Sequence, residues 1–128
     1  MSFLFDTNLL LWTADRSPRL PAAVRAILDD TTTLLMFSVV SIWEVAIKAG
    51  LGRNDFRWEA HALRHGLLAA GYEELQITGA HVVRVASLPR LHKDPLDRIL
   101  LAQASVEEIT LLTADPILGR YPGPVRQV

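Results

Sequence analysis

With 128 residues, half of them hydrophobic, the chain can bury a real core and is too apolar to be disordered, so it reads as one domain over 1–128. The absence of cysteine excludes disulfides, zinc–thiolate centres and cysteine nucleophiles, and no uncharged apolar run approaches the roughly 18–20 residues that span a bilayer. Thirteen basic against fourteen acidic residues give a formal net charge of −1, so binding to nucleic acid needs a local basic patch or a metal ion rather than the field of the whole molecule.

Met1 leads directly into an apolar run, Ser2 to Asp6, which predicts a short strand and leaves no room for a secretory leader; a cytoplasmic location is expected. A helix over Asn8 to Ala14 follows, then a proline-containing loop from Arg16, with Pro21 in the first turn of a helix that runs to Asp29. Leu34 to Ser38 predicts a second strand. The next helix begins at Ser38 or Val39, ends at Ala49 and is closed by Gly50. After a polar connector, Trp58 to Ala70 predicts a helix ended by Gly71. Glu73 to Thr78 is strand-like, and Gly79 to Ser87 a short helix. Leu88 to Lys93 is a loop. Pro95 to Glu107 predicts a helix, Ile109 to Thr113 a strand, and Val125 to Val128 a final strand. This β–α alternation predicts an α/β fold: a mostly parallel central sheet, Rossmann-like, with helices on both faces.

Four carboxylates stand where such a core has little use for them. Asp6 and Asp115 each follow a buried-type strand, at the carboxyl edge where ligands of open α/β sheets bind. Glu44 and Asp97 lie in early turns of apolar-striped helices. Each acid has a local role open to it. Asp6 and Asp115 can cap helices, and Ser41-Ile42-Trp43-Glu44 fits a capping box in which Glu44 also pairs with Lys48. In Asp94-Pro95-Leu96-Asp97 the cap falls to Asp94 and leaves Asp97 at the third helical position. Capping does not require the whole set. Four acids brought together must be relieved by protons or a hard divalent cation, which suits Mg²⁺ or Mn²⁺ and phosphate-ester hydrolysis.

The ordered motifs Leu4-Phe5-Asp6-Thr7-Asn8, Ser38-Val39-Val40-Ser41-Ile42-Trp43-Glu44-Val45, His92-Lys93-Asp94-Pro95-Leu96-Asp97-Arg98 and Leu111-Leu112-Thr113-Ala114-Asp115 resemble the PIN-domain ribonucleases, more narrowly the VapC-type toxins of toxin–antitoxin systems. The resemblance runs nearly end to end. It implies an endoribonuclease dependent on Mg²⁺ or Mn²⁺, with Asp6, Glu44, Asp97 and Asp115 as the catalytic and metal-binding acids. Glu44 would be an outer or second-site ligand that accepts the proton of the attacking water. Thr113 is implied as an auxiliary that orients a water or a carboxylate, and Asn8 as a hydrogen-bonding member of the site. The resemblance also implies an RNA substrate, a homodimer and a cognate VapB-like antitoxin. Trp12, Val39, Ile42, Trp43 and Ile47 leave the early helices more apolar than one sheet contact requires, which reads either as an association surface or as part of the monomer core.

Lys48, Arg53, Lys93 and Arg98 flank the motifs and are the candidate RNA contacts, although each taken alone reads more simply as solvated surface or an ion pair such as Glu44–Lys48. His61 and His65 have the i,i+4 spacing of a metal pair but lack the framing H-E-x-x-H pattern, and read as an exposed helix face. His92, just before Asp94-Pro95-Leu96-Asp97, is open to contact with substrate, although a loop histidine is usually solvated. Two other classes stay open. A different Mg²⁺-dependent phosphotransfer enzyme usually needs D-x-D after its first strand, where this chain has Asp6-Thr7-Asn8. A non-catalytic interaction module would have no need of the intact acid set.

Overall fold

In the computed structural model, which describes residues 1–52 and 55–128, five strands form one sheet in the order β3-β2-β1-β4-β5. In chain order the elements are β1 (Ser2–Phe5), α1 (Thr7–Ala14), α2 (Ala22–Asp29), β2 (Leu34–Ser38), α3 (Val39–Gly50), α4 (Ala60–Ala69), β3 (Glu73–Leu75), α5 (Gly79–Val85), α6 (Pro95–Glu107), β4 (Thr110–Thr113) and β5 (Val125–Gln127). A single 3-10 turn, Leu118–Arg120, separates β4 from β5. Every pairing is parallel. The expected α/β sheet with helices on both faces is therefore present.

The central strands are apolar throughout because both of their faces are covered. Side chains alternate across the pleat. Phe3, Phe5 and Leu112 point to one face, where they meet Leu9, Leu10, Val24, Leu63 and Leu67. Leu4 and Leu111 point to the other, against Val40, Leu100, Leu101 and Ala104. Leu4 pairs with Leu111 and Phe5 with Leu112, so β1 and β4 end together. The chain crosses from β1 to β2 on one side and returns to β4 on the other. The strand order thus reverses between β1 and β4, and the carboxyl ends of these two strands mark the edge where open α/β sheets bind ligands.

Several local expectations are corrected. Ser38, not Ser41, caps α3, its hydroxyl accepting the Val40 N–H at 3.0 Å. The strand runs into the helix without a loop, which puts Ser41 inside α3, buried and hydrogen-bonded to Thr7 Oγ1 at 2.9 Å. The capping-box role proposed for Glu44 is thereby removed. Gly50 lies within α3, and Gly52, at φ +69°, is the residue that takes the left-handed turn. Pro21 sits at the N-cap of α2, one position before the first turn. The helix expected from Trp58 starts at Ala60, because the Glu59 carboxylate accepts the His61 and Ala62 N–H groups. β3 stops at Leu75, where its partner β2 ends at Ser38. Gly71, at φ +93°, follows α4 as expected, and α6 begins at Pro95 under the Asp94 cap.

Candidate metal centre

Two of the predicted acids lie at the carboxyl ends of β1 and β4, and helix α6 brings a third beside them. Asp6 follows β1, where it caps α1 and also bonds to β4. Its Oδ1 accepts the Leu9 N–H at 2.8 Å, and its Oδ2 accepts the Thr113 hydroxyl. Thr113 Oγ1 in turn accepts the Asp115 N–H at 2.9 Å, so one buried hydroxyl at the end of β4 ties the two strand-end acids together. Asp115 likewise does two jobs, with Oδ1 accepting the Ile117 N–H at 2.8 Å and Oδ2 facing His92 Nε2 at 2.9 Å. Asp97, in the first turn of α6, places its Oδ2 3.3 Å from the same nitrogen. The helix cap on that segment is made by Asp94, whose Oδ1 accepts the Leu96 N–H.

Glu44 comes from α3. Its Oε2 pairs with Lys48 Nζ at 2.8 Å, and its Oε1 is buried with no hydrogen-bond partner among the described residues. An unpartnered buried carboxylate oxygen is costly unless something positive meets it.

The electrostatics report the same convergence. Burial is the largest influence on Asp97 and raises its carboxyl to about 7, reinforced by Asp94, Glu44 and Asp6 and opposed by His92. Burial also raises Asp6. The Thr113 and Leu9 hydrogen bonds oppose that rise, and the charges of Asp115 and Glu44 add to it. At Asp115 burial again pushes upward, but the hydrogen bonds from His92 and the Ile117 N–H outweigh it and leave the carboxyl below its ordinary value. The donor set, hard oxygens with one orphan among them, fits a hard divalent cation. Ligand atoms of His92, Asp97 and Asp115 lie within 4.8 Å of one another.

The other candidates fall in different places. Asn8 is exposed at the rim and lines a groove of about 680 Å³ along α1 with Trp12, Arg19 and Lys48. Lys93 is exposed, and Arg53 lies outside the described residues. The Arg98 guanidinium is committed to the fold. It donates to the carbonyls of Val85, Leu88 and Pro89 and to Tyr121 Oη, fastening the loop after α5 onto α6. His61 and His65 are both exposed on α4. Trp12 and Ile42 pack against the core, whereas Trp43 and Ile47, one turn apart on α3, stay 55% and 43% exposed.

His92 is the residue that sequence reasoning undervalued. It is not a solvated loop side chain, being only 14% exposed and placed between two acids. Its place beside Asp94 hinted at this, but its contact with Asp115 joins distant parts of the chain and has no spacing signature. Thr7 and Tyr121 went unnoticed for the same reason. Thr7 is buried against Ser41, and Tyr121 Oη accepts the His92 backbone N–H at 2.8 Å.

The PIN domain family model matches residues 3–124. The chain belongs to the PIN domain family. No curated protein sequence matches it significantly. Among solved structures, this PIN domain is similar to VapBC2 from Rickettsia felis bound to a DNA fragment from its promoter, with a TM-score of 0.71 and 13% identity over 99% of this chain and 98% of that one. It is also similar to DNA-bound VapBC from Salmonella typhimurium (TM-score 0.69, 16% identity, 99% and 98% covered) and to a toxin–antitoxin complex from Klebsiella pneumoniae (TM-score 0.63, 21% identity, 98% of each chain). At these identities the likeness is one of fold. Among the described residues no helix is long and apolar enough to cross a membrane.

Proposed function

We propose that the protein is a Mg²⁺- or Mn²⁺-dependent endoribonuclease and the toxin of a type II toxin–antitoxin pair. Asp6, Glu44, Asp97 and Asp115 are its catalytic and metal-binding acids. The observations that support this reading are the mutual charge effects of Asp6, Glu44 and Asp97, which come from separate elements, and the buried Glu44 Oε1 with no protein donor among the described residues. A divalent ion held there would neutralise the acids, polarise a phosphodiester oxygen and lower the pKa of a water it binds.

The chain's own groups prepare that chemistry. Thr113 fixes the rotamer of Asp6 and the backbone of Asp115, so both strand-end carboxylates are aimed before anything binds. Asp97, raised to about 7, holds a proton near neutrality and gives it up as positive charge arrives. Glu44, as an outer or second-site ligand, would accept the proton of the attacking water, while Lys48 pairs with its Oε2. Lys48 and Lys93 are the cations to hold phosphates on either side of the scissile bond. RNA as the substrate rests on the family resemblance.

The fold neighbours, which include toxin–antitoxin complexes, support an antitoxin partner; its C-terminal segment would fill the groove along α1. The exposed Trp43 and Ile47 support a homodimer. The test is cleavage of single-stranded RNA and of matched DNA with Mg²⁺, with Mn²⁺ and with EDTA. Metal-dependent cleavage of RNA that disappears in Asp6→Asn is expected. RNA cleavage persisting in excess EDTA refutes the mechanism, and equal cleavage of DNA refutes the substrate class.

A further inference from the structure

Building on the metal centre proposed above, we infer that His92 is a positioning residue: its ring N–H is bonded to Asp115 and lies close enough to Asp97 to draw the two carboxylates together, and it is not itself a ligand. His92 is built in from three directions. Its backbone N–H donates to Tyr121 Oη at 2.8 Å, its Nδ1 accepts the Asp94 N–H at 3.0 Å, and its Nε2 lies 2.9 Å from Asp115 Oδ2 and 3.3 Å from Asp97 Oδ2. Tyr121 Oη also receives Arg98 Nη1 at 3.3 Å, so the loop is fastened to α6 at the same point.

The Asp94 contact decides the tautomer. A nitrogen that accepts a backbone N–H carries a lone pair, so the ring proton sits on Nε2 and points at the two carboxylates. Ligation through Nε2 would need that proton moved to Nδ1. Two N–H groups would then face each other across 3.0 Å, and the Asp94 N–H would lose its acceptor. The spacing that makes His92, Asp97 and Asp115 look like a three-ligand set therefore has a different origin. One N–H, hydrogen-bonded to Asp115 and within 3.3 Å of Asp97 as a charge contact, keeps the two carboxylates close together despite their repulsion. This is the role that outer partners play in many metal sites, where their loss weakens binding without removing a ligand.

The experiment is Mn²⁺ binding to the full chain, followed by calorimetry and by pulsed electron paramagnetic resonance, which detects a nitrogen bonded directly to the ion. The wild type should bind Mn²⁺ with no directly coordinated nitrogen. His92→Ala should weaken binding about tenfold, and His92→Gln, whose amide N–H can still donate, should stay within about threefold of wild type. Tyr121→Phe removes the acceptor of the His92 N–H and should fall between them; it carries the test if His92→Ala fails to melt cooperatively. A coordinated-nitrogen signal that His92→Ala abolishes overturns the inference by making His92 a ligand. Unchanged Mn²⁺ affinity in both His92→Ala and Tyr121→Phe overturns it by removing the positioning role. In either case, binding that is still lost in Asp97→Asn leaves the metal centre standing, whereas no Mn²⁺ binding by the wild type overturns both.

Discussion

Asp97→Asn tests whether the acid cluster strains the apo fold. The Asp97 carboxyl rises from the model-peptide value of 3.8 to about 7 in the folded chain, first through burial and then through Asp94. At about 1.36 kcal/mol per unit, that rise corresponds to roughly 4 kcal/mol. The side chain is 19% exposed, and screening by solvent brings a working figure to about 2 kcal/mol. A raised carboxylate pKa means the folded chain binds more protons than the unfolded one between about pH 4 and pH 7. Stability therefore falls as pH rises through that window, and the penalty is complete above about 7. Asn mimics the protonated acid at every pH. In EDTA at pH 8, Asp97→Asn should melt about 6–8 °C above wild type, since 1 kcal/mol moves a domain of this size by roughly 3–4 °C. At pH 4 the gap should nearly close. Saturating Mn²⁺ at about 100 times its dissociation constant adds roughly 2.7 kcal/mol to wild type, and little of that should survive in the variant. The assay is a thermal melt of both proteins at several pH values with EDTA or Mn²⁺. If Asp97→Asn is less stable than wild type in EDTA at pH 8, or if its gain is the same at pH 4, the strain argument fails.

Three further outcomes are expected. Asp94→Asn should preserve α6 and most RNA cleavage, because Asn caps helices as well as Asp does, with stability changing by less than about 0.5 kcal/mol in urea melts; a loss of cleavage equal to that of Asp97→Asn would give Asp94 a role in the chemistry. Arg98→Ala should cost about 2 kcal/mol, since charge-assisted hydrogen bonds to the loop after α5 are lost, and Arg98→Lys should restore less than half because one ammonium cannot reach all the acceptors. Glu108 closes α6 at φ +56°, so Glu108→Gly should stabilise by about 0.5–1 kcal/mol in the same melts, the relief of the left-handed strain exceeding glycine's extra unfolded-state entropy.

What the sequence determined by itself was local in origin. Apolar runs such as Phe3-Leu4-Phe5 and Leu111-Leu112 mark strands buried on both faces, and Asp94-Pro95 marks the start of α6, because each signal lies within one or two turns of chain. The acids were legible for a related reason. A carboxylate directly after a buried strand needs only a parallel neighbour to gain a partner, and the pairing of β1 with β4 brings Asp6 to Asp115. Tertiary structure alone decided the rest. Ser41 sits where a capping box is expected, yet Thr7 at the start of α1 claims its hydroxyl. Arg98 looks like a phosphate-binding cation beside the site, but the carbonyls ending α5 take its donors. His92 looks like surface until β4 delivers Asp115 and the loop is fastened to Tyr121. In each case the deciding partner arrives from a distant segment with no fixed spacing, and competition for a hydrogen-bonding group is settled only when the packed core has determined which groups meet.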